Sequence, residues 1–385
     1  MVLSSVIASD SFKVAEFFAG VGLAKLGLED GEFTVVWSND YDPRKKRVFD
    51  AIHGPEHVYD ERDVANIRGA DIPDIDLAWA SFPCTDLSQA GLRAGIRGRE
   101  SGAYWHFSRV LKEMGDRAPS VIAIENVGGF VSGNEGKDLS AVLMDLKELG
   151  YQLDVIPLDA AMFVAQSRPR LFIVGSKSVP EPPVSAAESR EASRLSGLLP
   201  YLNEKLVSYA PALPTTQHPE TFSSLAARVE EDTQVTWWDA SSVSAALKSL
   251  SPRQAARIAS LRDSSVTSYR TGYRRMRLGV PTWEFRADER AGCLRTPKGG
   301  SSVQAVLRAG RGVVNIRWMG PAEYAELMGV NHPVTAHLRR SDQLWAFGDA
   351  VCVPVVSWLA REYLGPLVAS TASDFRGDVL LAAAG

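Results

Sequence analysis

Apolar runs and amphipathic stretches alternate through the first 176 residues. Residues 12–20 (FKVAEFFAG) are a short apolar run ending in glycine, and residues 23–31 (LAKLGLEDG) carry helical spacing as far as Gly31. The same order repeats as FTVVWSND then PRKKRVFDAIHG, DIDLAWASF then YWHFSRVLKEMGDR, and SVIAIENV then KDLSAVLMDLKELG. YQLDVIPLDA and RLFIVGS, both strand-like, close the series. Strands separated by helices of about ten to fifteen residues predict parallel βαβ units and an open α/β sheet with helices on both faces. In such sheets ligands sit at the carboxyl ends of the strands.

After Ser176 the pattern changes. KSVPEPPVSAAESREAS is rich in Pro, Ser and Glu and reads as a linker, and residues 186–315 are irregular. They contain helical pieces (SVSAALKSLSPRQAARIASLRD) and a basic stretch (SYRTGYRRMRLGVPTWEFR). Helical spacing returns in MGPAEYAELMG and VCVPVVSWLAREYL. The predicted organisation is a large domain beginning at residues 1–180, a linker and smaller inserted domain at 181–335, and residues 336–385 completing the first domain. At 385 residues the chain exceeds one comfortable domain, which agrees.

With 45% hydrophobic and 23% charged residues, the chain can bury a sizeable core. No apolar stretch approaches the roughly 18 residues of a membrane span, and the N-terminus lacks the features of a secretion signal. The expected location is therefore cytoplasmic. Cys84, Cys293 and Cys352 are odd in number and widely spaced, which argues against a disulfide framework or a zinc site. The six histidines show no metal-ligand spacing, so no metal is expected. The net charge of −4 does not advertise a nucleic-acid partner, but residues 253–298 hold eleven Lys or Arg against four acids. A polyanion responds to such a local face rather than to the whole-chain sum.

Candidate chemistry collects at the predicted strand ends. In FFAGVGLAKLGLED, Gly20, Gly22 and Gly27 sit at a strand-to-helix turn where bare backbone can approach a ligand. The spacing is not the dinucleotide fingerprint, because Lys25 stands three after Gly22. Asp40 ends the next strand, where an acid can bind ribose hydroxyls, and Asp63 follows in a loop within reach of an adenine amino group. Cys84 follows Pro83 at the end of an apolar strand, placed as a nucleophile would be. Glu125 ends the strand SVIAI one βα unit later. Arg168 and Arg170 lie two apart, so an extended segment would turn both to one side. A thiol, a carboxyl and two guanidiniums on one rim suit a polar, planar, electron-poor substrate.

These motifs, in this order, resemble the bacterial-type DNA (cytosine-5)-methyltransferases over nearly the whole chain except about residues 180–285. FAGVG resembles the cofactor loop, SNDYD the ribose-binding acid, FPCTDLS the nucleophile loop, ENV the glutamate motif and QSRPR the paired arginines. WMGPAEYAELMG resembles the segment supporting the recognition domain, and FGDAVCVPVV the last cofactor-side motif. The resemblance implies a Rossmann-like S-adenosylmethionine-dependent sheet with an inserted target-recognition domain. Cys84 would add to carbon 6 of a flipped-out cytosine, making carbon 5 nucleophilic. Glu125 would hold or protonate nitrogen 3, Arg170 the carbonyl oxygen, and Arg168 would lie nearer the phosphates. The cofactor residues would be Phe18, Ala19, Gly20, Val21, Gly22, Asp40, Tyr41, Asp63, Val64, Pro83, Asp349, Ala350 and Val351. Two positions depart from many members: Leu23 follows Gly22 where a glycine is common, and Asp349 stands where Asn is common. Implied partners are double-stranded DNA and a cognate restriction or defence system, with no membrane and a monomeric protein. Rival readings are the tRNA-methylating branch, a nicotinamide-dependent oxidoreductase, and a catalytically silent DNA-binding relative.

Overall fold

The computed structural model describes residues 11–83, 102–178, 220–297, 302–330 and 335–371. The chain divides into two compact units. The first comprises Met1–Leu158, Pro169–Pro214 and Val355–Gly385, the second Asp159–Arg168 and Thr215–Pro354.

The first unit is built on a seven-stranded sheet. Its strands are β1 (Phe12–Phe17), β2 (Phe33–Asn39), β3 (Tyr59–Asp60), β4 (Leu77–Ala80), β5 (Val121–Val127), β6 (Gln152–Asp159) and β7 (Pro169–Ser176). Their spatial order is β3-β2-β1-β4-β5-β7-β6. Strands β1 to β5 pair in parallel, as the alternation predicts. β7 runs antiparallel to β5, which the sequence pattern did not indicate. The helices between strands are α1 (Leu23–Glu29), α2 (Pro43–His53), α3 (Ala103–Met114) and α4 (Lys137–Glu148).

LAWA in β4 and VIAI in β5 are buried throughout, the mark of central strands covered on both faces. On α3, Tyr104, Phe107, Val110, Leu111 and Met114 recur at helical spacing and are buried; Leu139, Val142, Leu143 and Leu146 do the same on α4. α2 opens on an Asp-Pro signature: Pro43 is at its first turn, and the Asp42 carboxylate accepts from Arg44 N–H at 2.8 Å.

The second unit holds a four-stranded antiparallel sheet in the order β11-β10-β8-β9. Its strands are β8 (Ser268–Arg277), β9 (Val280–Phe285), β10 (Ala305–Gly310) and β11 (Val313–Trp318). Helices α5 (Phe222–Asp232), α6 (Ala240–Lys248) and α7 (Pro252–Arg262) precede it. Ala246 and Ile258 pack with Trp283, Phe285, Leu307 and Ile316 in its own apolar cluster. The stretch read as helical pieces forms two helices, because Ser251 and Pro252 open the second: the Ser251 hydroxyl accepts from Gln254 N–H. The region read as irregular thus contains a regular sheet.

The chain continues through α8 (Pro321–Glu326) and α9 (Arg340–Asp349) to α10 (Val353–Leu359). The residues after Pro354 lie in the first unit, where Tyr363 donates to Asp154 at 3.0 Å. One stretch, Arg340–Thr371, is long and apolar enough to cross a membrane, contrary to the sequence expectation. Its most apolar window is 67% buried inside the protein, as in a core helix.

Candidate active site

The sheet register builds one rim. Phe17 pairs with Ala80, and Ala80 with Ile124, so the residues just past β1 and β4 stand level with the next residue of β5, which remains paired with β7. These are Phe18, Ser81 and Glu125. Strand order reverses between β1 and β4, making this the switch point at which open α/β sheets bind ligands. From β1 to β5 is two strand spacings, roughly 10 Å.

After β1 the chain turns sharply. Phe18, Gly20 and Gly22 all take left-handed conformations, with φ of 57°, 60° and 75°. Ala19 N–H donates to the Asn39 carbonyl at 2.8 Å, and the Tyr59 hydroxyl to the Gly20 carbonyl at 2.8 Å. A Cβ at Gly22 would lie 2.3 Å from His53 Nε2 and 2.6 Å from Phe49 Cε2, so only glycine fits between turn and helix. Burial, then the charges of Lys25 and His57, lowers the His53 pKa to about 4. Ala19 and Val21 are buried; Tyr41 is exposed.

Asp40, at the end of β2, is buried and oriented from three sides. It accepts from Gly20 N–H at 3.2 Å, Lys45 Nζ at 2.8 Å and Asp42 N–H at 3.1 Å. Asp63 is exposed and caps a short turn by accepting from Ala65 N–H at 2.9 Å, with Val64 buried behind it. Beneath the turn, Glu16 is fully buried and accepts from the Ser38 hydroxyl at 3.4 Å. Burial pushes its carboxyl up to about 8. Neither Glu16 nor Lys45 stood out in the sequence; a charged residue inside an apolar strand is the signal that marks Glu16.

On β5, Glu125 is 8% exposed and forms an ion pair with Arg170 of β7, Nε to Oε1 at 2.8 Å. The antiparallel register sets Arg170 opposite Val127, at the open end of β5. Asn126 Nδ2 donates to the Phe82 carbonyl at 3.4 Å and Trp79 Nε1 to the Ser81 hydroxyl at 3.0 Å, fixing the exit of β4 towards half-buried Pro83. Cys84 lies outside the described residues.

Arg168 has a different setting. It precedes β7, belongs to the second unit and is 1% exposed. Its guanidinium donates to the carbonyls of Leu294 (3.0 Å), Gly348 (3.3 Å) and Ala350 (2.6 Å). The paired arginines of the sequence are thus engaged with different partners. Gln166, which the sequence reading passed over, acts beside Arg168: it donates to the Leu327 carbonyl at 2.7 Å and accepts from Leu294 N–H at 3.0 Å. A Cβ at Gly348 would lie 2.2 Å from Thr296 N, so these segments meet backbone to backbone. Asp349 ends α9, and Val351 is buried after it. Among the described residues no group of three His, Cys, Asp or Glu is arranged to hold a metal.

Residues 12–364 match the family described as C-5 cytosine-specific DNA methylase. The Type II methyltransferase M.Bsp6I of Bacillus sp. (strain RFL6) is 34% identical over 170 residues, 43% of this chain and 53% of that protein. M.NlaX of Neisseria lactamica is 32% identical over 43% of this chain and 52% of its own. The chain spans about half the length of the curated relatives it matches. In fold it is similar to the S. pombe Dnmt2 methyltransferase (TM-score 0.56, 17% identity, covering 92% of this chain and 99% of that one). It is equally similar to the Entamoeba histolytica methyltransferase EhMeth (TM-score 0.58, 16% identity, 91% and 97%). On the family match, which takes in both sheets and the rim residues, the chain belongs to the C-5 cytosine-specific DNA methylase family.

Proposed function

We propose that the protein methylates carbon 5 of cytosine within a specific sequence of double-stranded DNA, as the modification partner of a restriction or defence system. The observation that carries this reading is the rim itself: register aligns the Phe18–Gly22 turn, the Ser81–Pro83 exit towards Cys84 and the Glu125–Arg170 pair at the switch point. Family membership supports it.

S-adenosylmethionine fits the first turn, where the bare left-handed backbone of Gly20 lies beside an oriented carboxylate, Asp40. When bound it supplies an electrophilic methyl group. Phe18 to Gly22, Asp40, Tyr41, Asp63, Val64 and Pro83 would hold it, with Asp349, Ala350 and Val351 as further contacts. Asp63 would do so from its capping position.

Cytosine carbon 5 is too weak a nucleophile to attack a methyl sulfonium unaided. The Cys84 thiolate adds to carbon 6 of the extruded base, and the ring becomes an enamine with a nucleophilic carbon 5. Glu125 holds nitrogen 3 and draws electron density from carbon 6 during the addition. Arg170 holds Glu125 in place and faces the base's carbonyl oxygen. Carbon 5 would then take the methyl group as that group's bond to sulfur breaks, and loss of the carbon 5 proton with departure of the Cys84 thiolate restores the aromatic ring.

The test is expression in a host without cytosine methylation, followed by sequencing of its DNA for modified cytosine. Wild type marks one short motif and Cys84→Ala marks none. Marking by the alanine variant, or failure of 5-fluorocytosine DNA to become attached at Cys84, removes the mechanism.

A further inference from the structure

Two hairpins of the second unit turn in the same way. Between β8 and β9, Arg277 pairs with Val280 and the two-residue turn is Leu278-Gly279. Between β10 and β11, Gly310 pairs with Val313 and the turn is Arg311-Gly312. Both residues of each turn have positive φ: 49° and 80° in the first, 54° and 82° in the second. This conformation matches the strand twist but favours Asn or Asp in its first position, because a larger side chain is strained there.

The Arg311 turn is held in place: Arg311 N–H and Gly312 N–H donate to the Ser264 and Arg262 carbonyls at 2.7 and 2.8 Å, and Arg311 Nε to Ser265. The Leu278 turn is bare. Residues 274–281 are all exposed, and a Cβ at Gly279 would meet nothing within 4 Å. Leu278 is 105% exposed, Met276 63% and Val280 59%. An apolar side chain is therefore held in a strained conformation entirely in water. Arg274, Arg275 and Arg277 precede it on β8, and the single acid of the ribbon, Glu284, pairs with Arg277 at 2.5 Å. An apolar tip alone does not name its occupant; an apolar tip on an arginine ribbon does. A two-stranded ribbon fits a DNA groove, arginines engage phosphates, and a leucine can be driven between base pairs as a wedge.

We infer that the β8–β9 ribbon enters a groove of duplex DNA and that Leu278 unstacks a base step there. The inference rests on the proposed action on DNA and adds to it the residue that deforms the duplex. Leu278→Asn provides the test, because Asn relaxes the turn and keeps every charge. The probes are a labelled 30-base-pair duplex of mixed sequence, and closed-circular plasmid relaxed by a topoisomerase in the presence of the protein, which reads unwinding. Leu278→Asn is expected to melt no lower than wild type and keep its salt slope. It should bind the duplex about tenfold more weakly, the contribution of one apolar side chain taken from water, and unwind the plasmid less. Binding and unwinding equal to wild type overturn the wedge, and if wild type methylates the same plasmid, only the wedge falls. A wild type that neither binds nor methylates removes both readings. Loss of self-association with DNA binding unchanged makes the tip a contact between copies, and the wedge falls.

Discussion

Arg168 and Arg170 are two residues apart, yet they belong to different units and do different work. Arg170 stands on β7 with its guanidinium against a carboxylate at the rim. Arg168 is buried in the second unit and holds three backbone carbonyls. At the first unit's rim Lys45 likewise pairs with Asp40. The second unit pairs charges as well, Arg308 with Glu230 and Arg317 with Glu323, and lays both guanidiniums over the Trp237 ring, but it directs Arg168 at backbone carbonyls. A charge facing a charge at a rim is available for substrate chemistry. A charge facing carbonyls in a core fixes geometry.

Exchanging the two roles breaks the comparison most sharply. Arg170→Ala should lower kcat by about 10²–10³, the usual effect of losing one charge-stabilising donor, while the melting temperature stays close to wild type. Arg168→Ala should instead destabilise the fold by about 3 kcal/mol, because buried carbonyls lose their donors. Denaturant unfolding and single-turnover methylation separate the two. If both variants lose the same property, the division of labour is wrong.

The next effect tests the first unit's turn. Gly22→Ala adds a methyl group at φ 75° into the space of His53 and Phe49, and should cost about 2 kcal/mol with weaker S-adenosylmethionine binding. An alanine variant that binds the cofactor like wild type would show that the turn has slack.

Glu16 sharpens the comparison through pH. Burial raises its folded pKa to about 8, so between pH 4.5 and 8 the folded state binds more protons than the unfolded one, and stability falls as pH rises. His53 has the opposite slope from about 4 to 6.5, because burial keeps it neutral in the fold. Above pH 6.5 only Glu16, of these two, still acts. Stability should fall by about 2 kcal/mol from pH 6.5 to 8, and Glu16→Gln should flatten that decline. An equal decline in the Gln variant assigns it to other groups.

The legibility of the sequence divides along the same line. The parallel strands β1, β2, β4 and β5 are largely apolar runs between helices, so they could be read directly, whereas the two-residue β3 could not. β8 could not, because SYRTGYRRMR projects into water on both faces at its end and shows no alternation. The i, i+2 argument about Arg168 and Arg170 assumed a single extended segment. Pro169 begins β7, so Arg168 lies outside it, anchored through Asp159, which accepts from Arg168 N–H at 2.7 Å. Asp40 was legible as a strand-end acid; its partner Lys45 depends on the way α2 folds back, which no local pattern encodes.

The smallest effect concerns the ribbon's charges. Neutralising one phosphate-contacting residue lowers the slope of log affinity against log salt by about 0.9. Arg274→Gln should show that full decrement. Arg277 begins in an ion pair with Glu284, so contact with a phosphate exchanges one partner for another and releases less. Arg277→Gln should weaken binding because Glu284, left with only the longer Arg275 contact at 3.9 Å, then opposes the phosphates more strongly, and Glu284→Gln should strengthen binding by removing that competitor. If Arg274→Gln leaves the slope of the duplex titration unmoved, the ribbon does not touch DNA, and the second unit's exposed arginines need another partner.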